Sequence, residues 1–91
     1  MKTYVTTTKL DSFELKYFKT TTQGEHEGEE SSFYGVSVEK HVDDKLVEGT
    51  DSGPVCEDDT QITKIISLLA ENYVTPFALF EVLDEMECLH Q

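Results

Sequence analysis

The chain has 91 residues, nineteen of them acidic and seven lysine, with no arginine and a formal net charge of −12 at pH 7. With 37% hydrophobic residues it suits a single domain, residues 1–91, with a thin core, since a chain this small buries only about 60–65% of its unfolded surface. No apolar run reaches the roughly 18 residues of a transmembrane helix, and a deep cleft between subdomains is not expected.

The first segment, residues 2–10, holds Tyr4, Val5 and a threonine run, a composition suited to a strand. Leu10-Asp11-Ser12 forms a polar break. Residues 13–21 then alternate, with Phe13, Leu15 and Tyr17 on one face and Glu14, Lys16 and Phe18 on the other. Two such runs read as an antiparallel hairpin. Residues 22–32 contain no apolar side chain and read as a flexible acidic loop. A third strand follows from Phe33 to Val42, with Tyr34, Val36 and Val38 on one face. Asp43-Asp44-Lys45 turns the chain into a short fourth strand over 46–50, and Asp51-Ser52-Gly53-Pro54 reads as a turn or loop.

From Asp59 the period changes. Ile62, Ile65, Ile66, Leu69 and Tyr73 mark the stripe of an amphipathic helix that Asp58 or Asp59 can cap. Thr75-Pro76 starts a second helix, whose stripe is Leu79, Val82, Leu83 and Met86, widened by Phe77 and Phe80. Four strands followed by two helices predict an α+β fold, an antiparallel sheet with a C-terminal helical hairpin packed on one face.

The charge is uneven. Residues 1–21 carry four lysines against Asp11 and Glu14, whereas residues 22–59 carry twelve acids against Lys40 and Lys45, a net of −10. Nucleic-acid binding draws on Lys and Arg to displace counterions, so direct DNA or RNA binding is not expected. An ordered array of carboxylates can instead occupy the basic groove of a nucleic-acid-handling protein; the alternative is that the acids serve only solubility. No G-x-S-x-G elbow, phosphate-binding glycine loop or H-E-x-x-H motif occurs, and Pro54-Val55-Cys56 has the wrong spacing for a zinc deaminase. The expectation is a non-enzyme. The opening Met1 to Thr8 has no apolar core of a secretory signal, which points to the cytoplasm of a bacterial cell.

Cys56 precedes the first helix and Cys88 and His90 close the second. An antiparallel pair of helices, each about 20 Å long at 1.5 Å per residue, would bring the three together. Two thiols and an imidazole suit a structural Zn²⁺ site, with His41, His26, Asp58 or Glu57 as fourth ligand. Both Cys88 and His90 can ligate only if the helix ends before Cys88. Reduced thiols and a disulfide are the alternatives. His26, between Glu25 and Glu27, also fits a solvated charge run.

The segment Phe33-Tyr34-Gly35-Val36-Ser37-Val38-Glu39, followed by Val55 to Met86, resembles a family of small uncharacterised clostridial proteins. Tyr34, Gly35, Asn72, Pro76 and Val82-Leu83-Asp84-Glu85-Met86 carry the likeness, whereas Cys56, Cys88 and His90 fall outside it. That resemblance implies a fold, and an adaptor or regulatory protein of unknown partner. In size, acidity and want of enzymatic motifs the whole chain is similar to the small acidic anti-CRISPR proteins of phages and mobile elements. This second likeness implies an inhibitor that binds Cas9 through an acidic surface and hinders loading of target DNA. The residues expected to carry that contact are Glu39, Asp43, Asp44, Glu48, Asp51, Glu57, Asp58 and Asp59, unless they are simply turn and cap residues.

Overall fold

The computed structural model describes residues 1–26 and 28–89. Four strands, β1 (Lys2–Lys9), β2 (Glu14–His26), β3 (Glu29–Val42) and β4 (Lys45–Cys56), are followed by two helices, α1 (Asp59–Glu71) and α2 (Leu79–Leu89). Each strand pairs antiparallel with the next, in the order β1-β2-β3-β4. The α+β expectation holds.

The register explains which face is covered. Tyr17 lies opposite Val38, Leu15 opposite Lys40 and Lys19 opposite Val36, so Leu15, Tyr17, Val36 and Val38 share one face of the pleat. All four are fully buried, together with Ile62, Ile66 and Leu69 of α1 and Leu79 of α2. Helix α1 crosses all four strands, while α2 lies against β4. The Tyr17 hydroxyl donates to the Val74 carbonyl at 2.9 Å and the Thr8 hydroxyl to that of Ala70 at 3.0 Å. Sheet hydroxyls thus satisfy carbonyls just beyond and at the end of α1, where helical partners run out.

Residues 22–26 and 29–32 are strand rather than loop. They form the outer part of the β2–β3 hairpin, where Thr22 pairs with Phe33, Gln23 with Ser32 and Gly24 with Ser31. Beyond Thr21 neither β1 nor β4 flanks this ribbon, so it projects from the sheet as a two-stranded arm. Local polar pairing replaces the missing core: the Gln23 side-chain amide donates to the Ser32 hydroxyl at 3.1 Å. The Phe33 ring lies over Gly24, where a Cβ would approach its Cε2 to 2.9 Å.

Asp51-Ser52-Gly53-Pro54 is not a turn either, for β4 runs through it as a bulge. Ser37 pairs with Asp51 and Gly35 with Pro54, which leaves Ser52 and Gly53 opposite Val36. The unpaired Val36 N–H donates to the Ser52 hydroxyl oxygen at 2.9 Å, and Gly53 takes φ +74°. The Asp43-Asp44 turn is as expected, a two-residue connection with both residues at positive φ (52° and 65°), which matches the strand twist.

Asp58 caps α1, accepting from the Thr60 N–H at 2.9 Å and the Gln61 N–H at 3.4 Å. Its far end closes with Tyr73 N–H on Ala70 O (3.3 Å) and Val74 N–H on Leu69 O (3.0 Å), the two bonds of a Schellman cap. Tyr73 therefore sits at φ +53°, outside the buried stripe and 57% exposed. Thr75 accepts from the Ala78 N–H, but the regular helix begins only at Leu79. Phe77 and Phe80 do not widen the core; they are 88% and 53% exposed.

Candidate interaction surface

The acids picked out by the sequence do not form one face. Glu39 lies on the face of the sheet away from the helices, where the Lys2 ammonium bonds its Oε2 and His41 Nε2 lies 2.8 Å from its Oε1. The hydrogen bond from Lys2, seconded by His41, holds the Glu39 carboxyl below the usual carboxylate range although partial burial pushes the other way. Lys2 also stands 4.5 Å above the Phe18 ring, and Phe18 meets Tyr4 edge-to-face at 5.9 Å. Glu39 is therefore engaged by side chains of its own open face of the sheet.

Two more acids are committed at the start of α1. Asp58 is the helix cap, and Asp59 pairs with Lys19 of β2 at 2.7 Å. The other five, also exposed, have no cap or ion-pair role among the described residues and follow a line. Asp43 and Asp44 form the β3–β4 turn, Glu48 and Asp51 lie along β4, and Glu57 follows its end. Glu48 pairs with Lys40 and Asp51 with Ser37, so the two point to opposite faces of the sheet. The feature is thus an acidic edge, some 35 Å long at ~3.3 Å per residue, rather than an acidic face. Because β4 is an outer strand, its charges, its bulge and Pro54 are also the devices that deter edge-to-edge pairing.

The metal candidates are only partly brought into view. Cys56 is a free, half-buried thiol whose Sγ lies 3.5 Å from the Asp58 carbonyl oxygen. It pairs opposite Tyr34, whereas His41 sits seven residues along β3 on the other face and bonds Glu39. His41 and Cys56 are therefore not brought together. Helix α2 continues through Leu89, so the backbone at Cys88 is still helical, where joint ligation with His90 required the helix to have ended. The side chains of Cys88 and His26, and the whole of His90, lie outside the described residues. Among the described residues no cluster of three or more His, Cys, Asp or Glu side chains is placed to hold a metal ion, and no helix is long and apolar enough to cross a membrane.

The periodicity reading overlooked the connection between the helices. Leu68, Tyr73, Phe77 and Phe80 are between 47% and 88% exposed, while their neighbours Leu69, Val74, Pro76 and Leu79 are buried. The available signal was an excess: residues 62–86 carry more large apolar side chains than two helical stripes can use.

A four-strand antiparallel meander covered on one face by two helices, bearing an acidic outer edge and an exposed aromatic corner, defines a small acidic α+β domain. Over residues 1–88 the chain matches the profile of DUF6514, a family of unknown function, and it belongs to that family. No curated protein and no solved structure matches it. The expectation of an uncharacterised family agrees with this membership, whose match covers residues 1–88.

Proposed function

We propose that this protein is a non-catalytic interaction domain that docks, through its acidic β4 edge, onto a basic protein surface that ordinarily holds nucleic acid. The observation that carries this reading is the row Asp43, Asp44, Glu48, Asp51 and Glu57, all exposed and free of ion pairs among the described residues. Charges held along a strand edge keep their spacing without an ordering cost, which favours complementary docking. The Cas9–guide RNA complex is the partner suggested by the likeness to anti-CRISPR proteins, with hindered loading of target DNA as the outcome. The test is target-DNA binding by that complex with and without the protein, at two salt concentrations. Inhibition that weakens with salt is expected, together with its loss when Asp43, Asp44, Glu48 and Asp51 are all changed to Lys. Inhibition that survives the fourfold reversal refutes the electrostatic edge.

A second reading, the adaptor of the clostridial likeness, is favoured by a different observation. Phe77 and its neighbours place aromatic surface in water where the core makes no use of it. An adaptor would leave DNA loading untouched and bind its partner through that corner.

A further inference from the structure

The segment from Leu68 to Phe80 is apolar on two sides. Its inner set, Leu69, Val74, Pro76 and Leu79, is buried, and its outer set, Leu68, Tyr73, Phe77 and Phe80, stands in solvent. The outer set is firmly mounted. The sheet grips this connection through Tyr17 on the Val74 carbonyl and Thr8 on the Ala70 carbonyl, and Thr75 closes the turn into α2 by accepting from Ala78.

Tyr73 adds an independent sign. It occupies the left-handed cap position at φ +53°, where glycine is preferred and a side chain costs on the order of 1 kcal/mol. Its ring, 57% exposed, returns little of that cost through packing. A strained residue kept at an exposed position points to a use for its side chain.

Charge decides what fits. Residues 65–86 contain Glu71, Glu81, Asp84 and Glu85 and no Lys, Arg or His, and all four carboxylates are exposed. Four exposed acids beside this apolar surface, against the single Lys64 one turn before Leu68, disfavour a second copy of a chain of net charge −12 and an anionic membrane surface. The surface complements a segment that places apolar side chains between Lys or Arg residues. We infer that the corner formed by Tyr73, Phe77 and Phe80 is a docking site for a basic amphipathic helix of another protein. This inference rests on the adaptor reading and is separate from the β4 edge.

The test uses the full ¹⁵N-labelled chain and a synthetic Leu/Lys peptide of about 18 residues with helical apolar period, in roughly 0.15 M salt. A scrambled peptide of the same composition and a Leu/Glu peptide serve as controls. Binding of the Leu/Lys peptide is expected, with chemical-shift changes confined to residues near 68–85. It should weaken about tenfold in the double variant Phe77→Ser, Phe80→Ser, since a few central aromatic anchors carry most of such an interface. Tyr73→Gly should weaken binding about threefold yet raise the melting temperature, a split that a purely structural role does not give. The variant Asp43→Asn, Asp44→Asn, Glu48→Gln should keep its affinity within about twofold, as its charges lie in the β3–β4 turn and on β4 rather than in the connection between the helices. Equal binding of the scrambled peptide, unchanged binding by the double Phe variant, or shifts centred on β4 would overturn the site. So would a dimer in sedimentation that the double Phe variant dissolves, because a second copy would then be the occupant. Failure of the edge reading shows separately, as an absence of Cas9 inhibition.

Discussion

Tyr17 is the residue on which sheet and helices meet. The alternation of Phe13, Leu15 and Tyr17 announced its inward ring, but its hydroxyl partner, the Val74 carbonyl, is 57 residues away and leaves no local trace. Burial pushes the phenol from 10.0 up to about 12, against a smaller lowering by the Thr8 hydroxyl. Because the folded state holds this proton more tightly, the contribution to stability is complete below pH 10 and is lost as pH rises towards about 12. Replacing Tyr17 by Phe leaves the buried Val74 carbonyl without its donor. A loss of about 1–3 kcal/mol is expected in denaturant titrations at neutral pH. The same titrations at pH 10 to 12 should show the gap between wild type and variant narrowing. Glu39 teaches a similar lesson. Sequence reads it as one exposed acid among many, whereas Lys2, 37 residues earlier, ties it into the open face of the sheet.

At the scale of elements, periodicity was legible and punctuation misled. Ile62, Ile65, Ile66 and Leu69 gave α1 its buried stripe, and Asp58 its cap. Gly53 and Pro54 looked like the end of a strand because a left-handed glycine and a proline usually mark turns. In β4 they mark a bulge, and the reason lies on the neighbouring strand. A Cβ on Gly35 would collide with the Gly53 carbonyl oxygen and stand 2.8 Å from the Thr20 hydroxyl. The bulge can close on β3 only because residue 35 has no side chain. Gly35→Ala is accordingly expected to destabilise the domain by about 3 kcal/mol, the upper end of overpacking costs. Amide exchange of the variant should be fastest along β4, where the neighbouring strand yields first; uniform acceleration along all four strands would contradict that account. The β2–β3 arm escaped detection for the opposite reason. Hydropathy signals a strand only where one face is buried, and the two-stranded ribbon at 22–24 and 30–32 packs no side chain into the core.

For the whole molecule, order of elements and fold class were readable, since four alternating segments before two helical ones allow few arrangements. The distribution of surface features was not. Eight candidate acids resolve into three committed side chains and an edge of five, and the aromatic corner appears only once the helices have chosen which apolar residues to bury. Both outcomes depend on contacts distant along the chain, to which a local pattern is blind.

The projecting arm also governs how the molecule moves through water. The domain measures 47 × 28 × 19 Å, with a radius of gyration of 13.6 Å against about 12 Å for a compact chain of this length. Such a rod tumbles anisotropically and drags more solvent than a sphere of equal mass. On a gel-filtration column calibrated with globular standards it should elute early, with the apparent mass of a larger particle, while light scattering on the same peak returns the mass of one chain. Deleting residues 23–32 and joining the paired residues Thr22 and Phe33 through a two-residue Asn-Gly turn should bring the two masses together. A mass for the intact chain that scattering itself doubles would assign the early elution to association instead of shape.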